Sequence, residues 1–136
     1  RRQRQMCIRD RDVDIIFNVA SIAGLGIIDS AAETEHYIIG VDSDQAALLG
    51  EAKAKYILTS ILKRVDRSLL RAIDKYKAGE EIFGTTEILG VKDDAIGIAD
   101  NDFYKNTVSE ADRAKIDEII DEIKADKITI RSEFND

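Results

Sequence analysis

Proline is absent from all 136 residues, against an average usage of about 5%. No internal repeat or low-complexity tract marks a linker either. Cysteine occurs once, as Cys7. That excludes an internal disulfide, and a zinc site would need about four ligands. Histidine also occurs once, as His36. A Ser-His-Asp or Cys-His pair would have to use it, and no spacing recommends one. His36 therefore reads as a surface or strand-start residue, and no catalytic residue is expected. Long apolar runs are missing too: Val13–Phe17 is already broken by Asp14, far short of the roughly 18–20 residues a membrane span needs. Positive charge is not in excess, since the formal charge is −7. Phosphate backbones demand a Lys/Arg patch, so DNA and RNA are disfavoured as partners.

What is present is the composition of a soluble globular chain, 44% hydrophobic and 35% charged, long enough for one domain with a core. Residues 1–11, RRQRQMCIRDR, stand apart. They are dense in arginine, lack hydrophobic periodicity and contain no apolar stretch of a signal peptide. They read as a basic leader, artefactual or disordered, and are set aside. Residues 12–130 are expected to carry the fold, with a polar tail at 131–136.

Within 12–130, strand and helix patterns alternate. Val13–Ala20 is an apolar, β-branched run of the kind buried on both faces of a parallel sheet. Gly24-Leu25-Gly26 follows, then a helical stretch over Ile27–Glu35. Tyr37–Val41 reads as a second strand ending at Asp42, Ala46–Ala54 as a helical turn or short helix, and Tyr56–Thr59 as a third strand. Leu62, Val65, Leu69, Ile73 and Tyr76 recur at helical spacing, with Gly79 at the C-cap position. Phe83–Val91 and Ala95–Ala99 read as a hairpin about Asp93-Asp94, and Asp100–Lys105 as a loop. Ser109 and Asp112 open a last helix striped by Ile116, Ile119, Ile120 and Ile123. Lys127–Ile130 reads as a terminal strand. Alternation of this kind predicts an α/β fold with a mostly parallel sheet and flanking helices.

Three constellations could carry chemistry. Gly24-Leu25-Gly26 with Asp42 imitates a dinucleotide fingerprint, but Asp29 stands where the third glycine belongs, and an acid near a helix start repels phosphate. The other reading is a tight strand-to-helix turn. In Gly40-Val41-Asp42-Ser43-Asp44-Gln45, Asp42 lies where a buried strand ends, the place where open α/β sheets bind ligands. A carboxylate there can accept two hydroxyl protons from a vicinal diol such as ribose, or Asp42 and Asp44 can cap the next turn. A calcium loop would need a glycine and a distal glutamate that are missing. In Thr59-Ser60-Ile61-Leu62-Lys63-Arg64-Val65-Asp66, Lys63 and Arg64 near a helix start are poorly placed for the helix dipole. That suits a cation reaching for a ligand or an acid, or an ordinary surface lysine.

Taken in order, DIIFNVA with its glycine loop, YIIGVDSDQ, ILTSILKRVD and EILGVKDDAIGIA resemble the basic membrane protein (BMP) family of solute-binding lipoproteins. Its members show a VAGGTGxG loop, IGVDxDQ, TSxxKxVD and a GLKDGGVGLA-like segment. The resemblance covers nearly all of residues 12–130. It implies a periplasmic-binding-protein-like (type I) fold of two α/β lobes, of which this chain is a C-terminal portion, since such receptors run to roughly twice this size. It implies no enzyme and no cofactor, but a solute-binding component of an ABC importer that closes its lobes on a purine nucleoside. The expected partners are ABC permease subunits. The expected location is the extracytoplasmic face of the cell membrane, through a lipid anchor this segment lacks, or the periplasm. By motif matching, Asp42 holds ribose hydroxyls and Lys63 contacts the ligand, while Ala20 and Ser21 belong to the loop lining the cleft. That loop departs from the pattern: Ser21 and Ile22 replace two glycines and Ala23 a threonine, putting side chains where bare backbone would approach a ligand. Two other functions would fit the elements: a nucleotide- or NAD-binding α/β enzyme built on Gly24 and Asp42, and a sensor ligand-binding domain of the same fold.

Overall fold

A computed structural model describes residues 13–131, apart from the side chains of Ser21 and Ile22. The basic leader and most of the polar tail therefore lie outside the described residues. In chain order the elements are β1 (Ile15–Phe17), a 3-10 turn (Ser21–Gly24), α1 (Leu25–Thr34), β2 (Tyr37–Asp42), the single-turn helices α2 (Gln45–Leu48) and α3 (Glu51–Ala54), β3 (Ile57–Lys63), α4 (Val65–Lys77), a second 3-10 turn (Val91–Asp93), β4 (Ile96–Ile98), α5 (Asp102–Thr107) and α6 (Glu110–Lys124).

The strands form one sheet in the order β1-β2-β3-β4. β1 pairs with β2, and β2 with β3, both parallel. Helical crossovers join them, as parallel neighbours require. β4 runs the other way. The Ala99 N–H donates to the Ser60 carbonyl (2.9 Å) and the Arg64 N–H to the Ala95 carbonyl (2.8 Å), so one index falls as the other rises. The fold is α/β with a mostly parallel sheet, as the alternating pattern predicts.

The chain forms two compact units, passing between them after Lys63, after Ile96 and after Val108. The first contains the described residues up to Lys63 plus Gly97–Val108. Its core joins Ile28 and Ala31 of α1, Ile38 of β2, Ile57 of β3, Ala46 and Ala54, with Ile27, Leu49 and Phe103 packed against it. Small Ala46 and Ala54 let the two single-turn helices lie close to the sheet, and Gly50 separates them. The second unit contains Arg64–Ile96 and the described residues from Ser109. Neither α4 nor α6 buries a residue completely. In α4, Val65, Leu69, Leu70, Ile73 and Tyr76 all stay about half exposed or more. The helix ends at Gly79, whose φ of 81° suits glycine. There the Glu80 N–H closes back on the Lys75 carbonyl and the Gly79 N–H on that of Tyr76. Arg71 and Lys75 of α4 both bind Glu87, pinning the irregular stretch after the helix. The Ser109 hydroxyl accepts from the Asp112 N–H (3.1 Å), and α6 starts there as its sequence predicts.

Several expected boundaries are corrected. β1 is shorter than Val13–Ala20, because after Phe17 the chain turns into Ser21–Gly24. β3 runs on to Lys63, with β2 on one side and β4 on the other; Leu62 therefore belongs to a strand, not to the helix. Phe83–Val91 is not a strand: Gly84 has φ 74° and the Thr85 hydroxyl folds back on the Ile82 carbonyl. β-branched residues favour a ladder only where one is available, and Ile88 of this stretch is exposed. The expected hairpin is thus absent, and β4 pairs with β3 instead. Asp100–Lys105 is not all loop, since α5 begins at Asp102 behind the Asn101 cap. Lys127–Ile130 forms no strand.

Candidate functional site

The candidate site sits where β2 and β3 end side by side, entirely within the first unit. Their parallel register sets Asp42 opposite Leu62. The next residue of β3 is Lys63, whose Nζ lies 3.5 Å from Asp42 Oδ1. Both side chains stay more than half exposed, at 71% for Lys63 and 53% for Asp42. An ion pair this open contributes about 0–1 kcal/mol. The two charges are held together by strand register more than by each other.

Asp42 has an unusual backbone. Its φ is 70°, in the left-handed region. The Ser43 N–H donates across it to the Val41 carbonyl at 2.9 Å. A bond spanning one residue of positive φ marks the strained form of γ-turn. Such strain persists where surrounding structure over-determines it, and it gathers at binding sites. Here the flanks are tied down. Asp44 caps α2 by accepting from the Ala46 N–H (3.2 Å) and also accepts from Asn101 Nδ2 (2.9 Å). The Gln45 N–H donates to Ser60 Oγ at 3.2 Å. Gly40 is buried against these groups: a Cβ there would stand 2.5 Å from Gln45 Oε1 and 2.6 Å from Ser60 Oγ. Glycine at 40 thus has a packing reason, and so do Gln45 and Ser60.

Ala20 and the turn after it follow β1. The Gly24 N–H donates to the Ala20 carbonyl, and the Asn18 side chain, 1% exposed, donates to the Gly24 carbonyl at 3.3 Å. A Cβ on Gly24 would lie 2.6 Å from Asn18 Oδ1. Gly24 therefore answers to Asn18, which gives the tight-turn reading of Gly24-Leu25-Gly26 a physical cause. Asp29 is paired with Lys53 at 2.6 Å. Ser21 opens the 3-10 turn, but its side chain lies outside the described residues. Of the residues singled out from sequence, Asp42 and Lys63 meet, and Lys63 ends a strand instead of starting a helix. Sequence pattern does not single out Asn101, which lies in a stretch that reads as a loop. Its only sequence signal was Asn followed by Asp-Phe-Tyr, a possible helix cap. Among the described residues, no group of three or more His, Cys, Asp or Glu side chains could hold a metal.

Comparison with known proteins agrees with the order of motifs. Residues 4–129 match the family described as ABC transporter substrate-binding protein PnrA-like. The chain belongs to this family. The family is one of binding proteins, so the chain is not an enzyme of the nicotinamide type. Among its relatives, basic membrane protein D of Borreliella burgdorferi (strain JD1) is 39% identical over 101 residues, covering 72% of this chain and 28% of the relative. Basic membrane protein A2 of Borrelia garinii subsp. bavariensis is 38% identical over 92 residues, covering 65% and 26%. The chain thus spans about a quarter of the length of the curated relatives it matches. A crystal structure described as a transcriptional activator of the comK gene from Bacillus halodurans superposes with a TM-score of 0.76 at 17% identity, covering 93% of this chain and 42% of that one. At that identity the likeness is one of fold. Among the described residues no helix is long and apolar enough to cross a membrane.

Proposed function

We propose that this chain supplies one side of the ligand cleft of an extracytoplasmic solute-binding protein, which closes two lobes on a purine nucleoside and delivers it to the permease subunits of an ABC importer. The observation that carries this reading is the exposed Asp42–Lys63 pair, 3.5 Å apart at the carboxyl ends of neighbouring parallel strands, where open α/β sheets bind ligands. The Asp42 carboxylate can accept from both hydroxyls of a ribose diol. Lys63 supplies the compensating positive charge and can donate to a sugar or base oxygen. Ala20 and Ser21 line the same cleft from the end of β1, and the other lobe supplies much of the contact with the base. Family membership supports a binding role, and relatives named membrane proteins support a place at the extracytoplasmic face, by lipid anchor or in the periplasm. The test is calorimetry of the complete gene product with guanosine, inosine and adenosine. Wild type should bind at least one of them. Asp42→Ala removes about two hydrogen bonds to a charged acceptor, about 3 kcal/mol or more, so affinity should fall about a hundredfold or more. A folded wild type that gives no heat with any of the three refutes the proposal.

A further inference from the structure

The strain at Asp42 calls for something that keeps it in place. β2 holds the residue from before, through its ladder with β3. From behind, the hold comes from a residue far along the chain. Asn101 Nδ2 donates to Asp44 Oδ1 at 2.9 Å, and the same oxygen accepts from the Ala46 N–H. The other end of the Asn101 amide accepts from the Tyr104 N–H at 2.9 Å, capping α5. Tyr104 is buried, so Asn101 stands on an anchored helix. Its amide is used at both ends, one for its own helix and one for the segment that follows Asp42. Gln45, next along, is fastened to Ser60 of β3. Residues 42–45 are therefore fixed by two side-chain links, while the Asp42 carboxylate is more than half exposed, 3.5 Å from Lys63 Nζ.

We infer that Asn101 is a positioning residue for the binding site: by holding Asp44 it keeps Asp42 in its left-handed turn and so aims the Asp42 carboxylate toward Lys63 and the ligand. This rests on the reading of Asp42 as a ligand-binding acid. Freed from Asp44, residue 42 can relax to negative φ, which any residue with a Cβ prefers. Its carboxylate then swings away from the direction the strand end gives it.

The test uses the complete gene product and the variant Asn101→Ser. Serine is a comparable helix cap, so α5 stays capped, but its hydroxyl cannot cap and also reach Asp44. The expected results are a Kd for guanosine or inosine raised about tenfold, roughly 1.4 kcal/mol, and an almost unchanged thermal midpoint. The strong intraresidue amide–Hα NOE that positive φ produces should weaken at Asp42. Asn101→Asp keeps the cap but sets a carboxylate against Asp44, and its loss of affinity should be at least as large. An unchanged NOE in Asn101→Ser overturns the inference, as does an unchanged Kd where wild type binds. If wild type binds no purine nucleoside, the reading of the site fails by itself. The NOE then still decides whether Asn101 holds Asp42: weakening supports that role and constancy overturns it.

Discussion

Replacing Asp42 by glycine and by alanine separates its backbone from its carboxylate. Both variants lose the ion pair with Lys63, 3.5 Å long and largely exposed, so its contribution of about 0–1 kcal/mol cancels between them. What differs is the cost of φ 70°. A residue with a Cβ loses about 1–2 kcal/mol in the left-handed region, and glycine loses essentially none. Against this, glycine gives the unfolded chain more freedom, an opposing effect of about 0.4–1 kcal/mol. The difference leaves Asp42→Gly more stable than Asp42→Ala by about 1 kcal/mol. In an ordinary strand the order is reversed, because interior glycine weakens a strand. Urea unfolding of the two variants, read as a shift in midpoint at common slope, measures the difference. Alanine as stable as glycine, or more so, would refute the strained turn. On the proposed binding role both variants should hold a nucleoside more weakly, by about a hundredfold or more, since both lack the carboxylate.

Other consequences can be checked alongside. Gly24→Ala would bring a Cβ to 2.6 Å from Asn18 Oδ1 and 2.8 Å from its Cγ; Asn18 is buried, so overpacking should cost about 1–3 kcal/mol, and an unshifted denaturation midpoint would contradict it. Thr59→Val removes the buried hydroxyl that donates to the Ala99 carbonyl at 2.8 Å; the carbonyl left without that donor should cost about 1–3 kcal/mol, again read from the unfolding midpoint. Hydrogen bonds from Arg71 and then Lys75 hold the Glu87 carboxyl down from 4.5 to about 2. Since the folded value lies below the unfolded one, this link stabilises fully above about 4.5 and is lost as pH falls through about 2. An NMR titration of Glu87 should therefore show its midpoint near 2, and Glu87→Gln should flatten stability across that window; a midpoint near 4.5 would mean the two bonds do not persist in solution.

Sequence alone determined what depends on neighbours a few residues away. Tyr37–Asp42 is a strand because its apolar, β-branched run ends at an acid and a turn. α6 starts at Ser109 because the hydroxyl needs only the amide three residues on. Gly79 marks the end of α4 because positive φ favours a residue without a Cβ. The family was legible for a different reason: Gly40, Gln45 and Ser60 of its motifs pack on one another from neighbouring segments, so their spacing is itself a record of the fold. Tertiary structure decided the rest. Lys63 belongs to a strand because β3 has a partner on each side, which helical spacing around Leu62 could not reveal. Phe83–Val91 has strand propensity but no ladder to join, and propensity without a partner stabilises nothing. Asn101 meets Asp44 across 57 positions of chain, a contact no local pattern encodes. The left-handed turn at Asp42 likewise needs β3 and Asn101 around it, since an isolated chain would relax away from that strain.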